Sequence, residues 1–306
     1  MQKDNQTSQS GLIVSYFGNS VAVEAEDGQI FQCYLHRNQE LPVVGDKVTW
    51  TLERGEQGII TTILPRHSLL VRGGPHGQTK PLAANVDLIM IVMAPPPIFS
   101  SYLVDRYLAA AELQHISPML VLNKKDLLQE AALDEAKKAL AVYADIGCPV
   151  VLTSIYMKDT IQTLADMIKQ KTAVLVGPSG VGKSSLITAL GSEAAIRIGD
   201  VSTKGAGKHT TTATRLYHLP QGGYLIDSPG VREFNLWSIN KQEIFQCFRE
   251  FQPFLHQCQF RDCDHMSEPG CVVQAAVADG KIHAERYASY QTFMKQAKND
   301  KKKSHT

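Results

Sequence analysis

Gly177-Pro178-Ser179-Gly180-Val181-Gly182-Lys183-Ser184 is the stretch on which the reading of this chain turns. Two glycines bracket four residues, and Lys and Ser follow, the pattern of a phosphate-binding P-loop. It comes after the apolar run Ala173–Val176 and before a helical pattern over Ser184–Leu190. That is the strand–loop–helix context a P-loop requires. The glycines let backbone N–H groups wrap phosphate oxygens without a Cβ in the way. Lys183 sets a cation, in a catalytic role, on the β/γ-phosphates, and the Ser184 hydroxyl suits Mg2+. The candidate phosphate set is Gly177, Pro178, Ser179, Gly180, Val181, Gly182, Lys183, Ser184 and Ser185.

Downstream, Asp227-Ser228-Pro229-Gly230 follows the strand-like Tyr224-Leu225-Ile226. Asp227 at a strand end fits a second Mg2+ contact through water, and the Gly230 N–H can meet a γ-phosphate. Alone, D-x-x-G is also a turn sequence; behind a P-loop it carries more weight. Upstream, Asn123-Lys124-Lys125-Asp126 closes the apolar run Met119–Leu122. Its pattern, N-K-x-D, reads guanine. Asp126 accepts from the N1–H and exocyclic amine of guanine, a pair of donors adenine does not offer. Asn123 is expected to tie this loop to the P-loop, and the Lys124 stem to cover the ring. Thr153-Ser154, at the next strand end, fits the last guanine element, whose backbone N–H meets O6.

The order of these elements is unusual. The guanine elements at 123–126 and 153–154 precede the P-loop, which precedes 227–230. An ordinary GTPase runs the other way. The same sheet forms if the old termini are joined and the chain is opened just after the D-x-x-G segment, which is a circular permutation. That segment then leads straight into the C-terminal region.

From Asn85 to Val176, apolar runs (Val86–Met93, Pro118–Leu122, Pro149–Leu152, Ala173–Val176) alternate with helical patterns (Tyr102–Gln114, Leu128–Tyr143, Lys158–Lys169). Such alternation predicts a parallel sheet covered on both faces. Residues 1 to 70 read as all-β. Short runs such as Leu12–Val14, Val21–Val23, Ile30–Tyr34 and Lys47–Trp50 lie between turn signals about 8–12 residues apart. A five-stranded oligonucleotide-binding barrel fits, though periodicity alone does not separate it from another small barrel. Residues 66–81, rich in Gly, Pro and basic side chains, read as a linker.

After Trp237 the chain turns helical and aromatic, then Cys/His-rich, then helical again. Cys258, Cys263, His265 and Cys271 supply three thiolates and an imidazole, the donor set of a closed, structural Zn2+ site. The helices beside this loop look short of apolar residues, so metal is expected to supply much of the module's folding energy. Arg249, Arg261, Lys281, His283, Arg286, Lys295, Lys298 and Lys301–Lys303, with Arg66, His67, Arg72 and Lys80 of the linker, give local positive potential. RNA phosphate is the expected partner. The net charge of +1 gives no such case globally. No run of about 18 apolar residues predicts a membrane span, and the polar start MQKDNQTSQS has no signal-like apolar region, so a cytoplasmic location is expected.

As a set, these motifs resemble the circularly permuted ribosome-assembly GTPases of the RsgA/YjeQ type over nearly the whole chain. The resemblance implies an oligonucleotide-binding barrel over 1–70, a permuted GTPase domain over 71–236 and a zinc-binding domain over 237–306. It also implies a GTPase that binds the small ribosomal subunit and its rRNA late in maturation, and a monomer is expected. Gly205–Thr212 resembles the family's switch I, with Thr211 or Thr212 reaching Mg2+; spacing does not decide between them. The residue after Gly230 is Val231, where Ras-type enzymes carry a water-orienting Gln. By resemblance this is a hydrophobic-substituted GTPase with His209 as the candidate catalytic group; the alternative is that His209 is a surface or RNA-contacting side chain. Two readings compete: an enzyme with subunit-stimulated turnover, or a GTP-gated RNA-binding adaptor whose hydrolysis only sets release.

Overall fold

The computed structural model describes residues 8–35, 40–53, 57–73, 79–96, 100–191, 193–194, 214–227 and 240–303 (backbone alone at 193–194 and 298–303). Switch I with His209 and Thr211, and residues 228–239 with Gly230 and Val231, lie outside them.

The central sheet grows from the apolar runs. β8 (Leu88–Met93), β9 (Ser117–Leu122), β10 (Val150–Leu152), β11 (Thr172–Val176) and β14 (Tyr224–Asp227) are parallel, in the order β10-β9-β8-β11-β14. β13 (Arg215–His218) joins β14 antiparallel, and β12 (Glu193–Ala194) pairs with β13. Successive strand side chains point to opposite faces. Ile89, Ile91 and Met93 therefore face one core, with Tyr107 and Leu108 of α1 (Ser101–Leu113) and Leu140 and Tyr143 of α2 (Glu130–Asp145). Leu88, Met90 and Val92 face the other, with Ile161 and Leu164 of α3 (Lys158–Met167) and Leu186 and Ile187 of α4 (Lys183–Ala189). Burial on both faces is why β8 reads as an unbroken apolar run.

The N-terminal strands β1 (Gln9–Tyr16), β2 (Val21–Ala25), β3 (Ile30–Leu35), β4 (Lys47–Leu52) and β5 (Gly58–Ile63) close on themselves. β1 pairs with β2 and β4, β2 with β3, β3 with β5 in parallel, and β5 with β4. This closed five-stranded circuit is the Greek-key barrel expected from the turn spacing. Ile13, Val23, Cys33, Val48, Trp50 and Ile60 fill it.

The 66–81 segment is more than a linker. β6 (Leu69–Gly73) and β7 (Thr79–Ala84) form an antiparallel pair, and Leu70 and Ala83 are fully buried. Its basic residues are partly spoken for. Arg66 donates from Nε to Asp46 at 2.7 Å and also pairs with Glu40, while His67 lies 3.1 Å from Asp87. The Gly, Pro and basic side chains of this stretch hid a strand pair with only a few fully buried positions.

The C-terminal region holds α5 (Lys241–Gln246), a 3-10 turn Arg249–Phe254, α6 (Val272–Ala278) and α7 (Ala284–Lys303). Its core holds more apolar side chains than the sequence reading expected, and Cys263 and Cys271 belong to it. Ile244, Phe248, Phe251, Val273, Tyr290, Phe293 and Met294 are buried together and pack on Ala109 of α1. These apolar positions are dispersed over four elements, so no single helix looks apolar. Three of the basic residues pair with acidic groups at this region's contact with α1 and α2, and of these Arg286 is buried while Arg249 stays exposed. Arg286 is 2% exposed; it donates to Asp105 of α1 at 2.5 Å and to Glu250 at 2.7 Å, and stacks over Phe248. Arg249 pairs with Glu112, and His283 lies 3.0 Å from Asp145 at the end of α2. Arg261, Lys281 and Lys295 remain exposed. No described helix is long and apolar enough to cross a membrane.

Candidate functional site

Asn123, Thr153, Gly177 and Asp227 stand at or just past the carboxyl ends of β9, β10, β11 and β14. All four strands are parallel, so one edge of the sheet gathers every motif whatever its order in the chain. Ligands of open α/β sheets bind outside that edge.

The P-loop leaves β11 at Gly177, whose φ of +136° is open only to glycine. A Cβ there would sit 2.1 Å from the Val92 carbonyl oxygen at the end of β8. Gly182 caps α4 at φ +94°, and a Cβ would lie 2.5 Å from Asn123 Nδ2. The pattern's two defining glycines are thus both forced, by the Val92 backbone in one case and by the buried Asn123 side chain in the other. Lys183 is buried, and its Nζ donates to the Gly177 and Pro178 carbonyls at 2.7 and 2.6 Å. Ser179, Gly180, Ser184 and Ser185 are exposed along the loop and the first turn of α4, while Pro178 is half-buried and Val181 buried.

Asn123 is 2% exposed and joins three loops. Its Nδ2 donates to the Val181 carbonyl at 2.9 Å, and its Oδ1 accepts from Thr153 Oγ1 at 3.1 Å. Its backbone N–H donates to Met93 of β8 at 2.8 Å. Lys124, at φ +59°, crosses to the P-loop and donates to the Gly180 carbonyl at 2.7 Å. Lys125 donates its backbone N–H to the Thr153 carbonyl at 2.9 Å. Asp126 is exposed, and Ser154 Oγ donates to its Oδ1 at 2.5 Å. That bond orients the carboxylate.

Sequence reasoning missed Thr160. Its Oγ1 accepts from the Ser154 N–H at 3.0 Å and donates to the Met157 carbonyl at 2.7 Å, fixing the turn after Ser154. A threonine in the first turn of a helix was the available signal. The end of β8, which supplies Val92 and Met93, was missed for lack of any polar motif.

Asp227 is half-buried on the strand next to β11. Ser184 and Asp227 offer oxygen donors only, which suits a hard cation such as Mg2+; the other expected ligand, Thr211, lies outside the described residues.

Cys258, Cys263, His265 and Cys271 form a second site, their ligand atoms all within 4.8 Å of one another. Cys258 and Cys271 sulfurs are 3.9 Å apart, and each lies 3.4 Å from His265 Nδ1. A tetrahedral Zn2+ with ordinary bond lengths requires about 3.8 Å between sulfurs and about 3.6 Å from sulfur to nitrogen. Burial holds the His265 pKa down, so the imidazole is neutral and able to ligate. Burial also pushes the Cys263 thiol up to about 12. Glu268 accepts from the Met266 and Ser267 N–H groups at 2.9 and 3.0 Å. Tyr287 and Tyr290 of α7 donate to the His265 and Asp264 carbonyls, each at 2.7 Å. The four side chains could therefore hold one metal ion. The remaining cysteines, Cys33, Cys148 and Cys247, are buried thiols.

Fold and site together define a circularly permuted P-loop GTPase. Residues 63–237 match the family described as RsgA GTPase. The chain is 44% identical over 303 residues to Small ribosomal subunit biogenesis GTPase RsgA of Haemophilus influenzae (strain 86-028NP), covering 97% of this chain and 88% of that protein. It is 45% identical over 289 residues to the protein of the same name from Shewanella oneidensis, covering 92% and 82%. Among solved structures, YjeQ from Thermotoga maritima superposes with a TM-score of 0.78 at 32% identity, over 95% of this chain and 99% of that one. YloQ, titled a circularly permuted GTPase, gives 0.75 at 28%, over 98% of each. The chain belongs to the RsgA GTPase family and is a GTP-hydrolysing enzyme.

Proposed function

We propose that this enzyme binds the small ribosomal subunit through its rRNA, assists late maturation of that subunit in the cytoplasm, and hydrolyses GTP with subunit-stimulated turnover and release. The observation that carries the reading is the convergence of Asn123, Thr153, Gly177 and Asp227 at one sheet edge beside a five-stranded barrel; the names of the relatives supply the partner. In this reading the protein acts as a monomer, with a barrel over 1–70, a GTPase domain over 71–236 and a zinc domain over 237–306.

Asp126 reads the N1–H and amine of guanine, and the Thr153-Ser154 turn, braced by the Ser154 N–H on Thr160 Oγ1, lies against O6. The P-loop amides from Gly177 to Ser185 hold the phosphates, and Lys183 leaves its loop carbonyls to neutralise the β/γ charge. Ser184, Asp227 and Thr211 would hold Mg2+, which supplies charge neutralisation on the phosphates when bound. Gly230 donates to the γ-phosphate, and His209 orients the attacking water in place of the glutamine that Val231 replaces. Cys258, Cys263, His265 and Cys271 would hold a structural Zn2+.

GTP hydrolysis with and without small subunits tests this directly. The expected result is low intrinsic turnover, strong stimulation by subunits, and loss of guanine preference in Asp126→Asn. GTP-dependent subunit binding without any stimulation would instead make the protein a GTP-gated adaptor.

A further inference from the structure

β13 and β14 form the hairpin that ends at Asp227, and the barrel is joined to that hairpin. Arg215 of β13 is paired with Asp227 of β14 on one edge and with Ser15 of barrel strand β1 on the other. Ser15, Arg215 and Asp227 thus stand side by side on three strands, spanning about 10 Å. The join has side-chain support. Ser15 is 2% exposed, and its Oγ donates to the Thr214 carbonyl at 3.2 Å. One strand further into the barrel, Glu24 Oε2 lies 2.9 Å from His218 Nε2, and Tyr224 packs edge-on against His218. Val14 and Ala22 of the barrel are buried in the same core as Leu216 and Ile226 of the hairpin. β1 has a register irregularity between Ile13 and Ser15. Ile13 faces the barrel interior, and its neighbour Val14 faces the GTPase core.

We propose that the barrel is a positioning element of the hydrolytic centre: strand β1, through Ser15, sets the register of the β13–β14 hairpin and hence of Asp227. A load placed on the barrel is felt at Asp227 first. The guanine loops ride on β9 and β10, separated from β14 by β11 and β8. The seam therefore governs turnover, while base affinity is set elsewhere. Ser15 is a positioning residue, since it touches the hairpin and not the nucleotide. The inference rests on the assignment of Asp227 to the hydrolytic centre.

The test uses the full chain and its intrinsic GTP hydrolysis, with GDP affinity and amide exchange of residues 224–227 as separate readouts. Ser15→Ala is expected to lower kcat about fivefold, the rate equivalent of one hydrogen bond. KM and GDP affinity should stay within about twofold. Ser15→Thr should restore the rate, adding Glu24→Gln to Ser15→Ala should lower it further, and Thr61→Ala, on the far side of the barrel, should leave it unchanged. Amide exchange at 224–227 should quicken in Ser15→Ala. A kcat equal to wild type, a loss matched by lost GDP affinity, or unchanged exchange at 224–227 each overturns the proposal. Full activity in Asp227→Asn would refute the site assignment instead, and the exchange measurement would still decide the seam.

Discussion

Asn123→Ala removes a single side chain on which three loops converge. The side chain is 2% exposed and makes two hydrogen bonds, to the Val181 carbonyl and from Thr153 Oγ1. Each buried bond of this kind is worth about 1–1.5 kcal/mol. Because the two bonds connect the guanine loop, the Ser154 loop and the P-loop, their loss falls on nucleotide binding more than on folding; the strands beneath keep their own cores. A total of about 2–3 kcal/mol corresponds to GDP affinity weaker by about 30- to 150-fold. The assay is titration of the full chain with GDP by calorimetry, with melting temperature measured alongside. Thr153→Val removes one of the two bonds and should cost about 1 kcal/mol. In the double variant the effects should fall short of the sum, because both changes delete the same contact. Affinity within threefold of wild type, or strict additivity of the pair, would refute the claim that Asn123 holds these loops together.

Two further outcomes are expected. Arg286→Met leaves the buried carboxylates of Asp105 and Glu250 without their shared cation, so stability measured by urea unfolding should drop by about 3–5 kcal/mol; adding Asp105→Asn and Glu250→Gln should recover much of it, and a single variant as stable as wild type would show that the network does not dock the C-terminal region. Atomic emission on the purified chain should find about one zinc per chain, falling to none in Cys258→Ala, while helical circular dichroism largely persists because Phe248, Phe251, Tyr290 and Phe293 keep their own core; collapse of the helical signal on metal loss would show that metal supplies much of the folding energy, as the sequence alone suggests.

How much of this was legible in the sequence follows from how local each signal is. The phosphate and guanine loops could be read because their chemistry is contiguous: Gly177 and Gly182 must be glycine, and Asn123 and Asp126 sit three residues apart on one turn. The alternating apolar runs gave the parallel sheet because burial on both faces leaves no polar alternation. The metal loop was legible because sulfur and imidazole donors are rare enough to stand out. Arg286 was misread as a surface cation because its partners lie 181 and 36 residues away in the chain. The aromatic core of the C-terminal region was missed for the same reason: its members come from α5, the 3-10 turn, α6 and α7 and from α1, and no one segment carries the pattern.

The sequence by itself determined the P-loop, N-K-x-D and Cys/His patterns, and that the nucleotide motifs run in permuted order. Tertiary structure alone showed how the permuted motifs meet: parallel strands deliver their loops to one edge in whatever order the chain visits them. It also decided which cations remain on the surface, that the C-terminal helices are docked on α1 and α2, and that the barrel is joined through Ser15 and Arg215 to the strand beside Asp227. Those are contacts between distant segments. They depend on burial and register, which arise only when the elements pack, and no short window of sequence contains both partners.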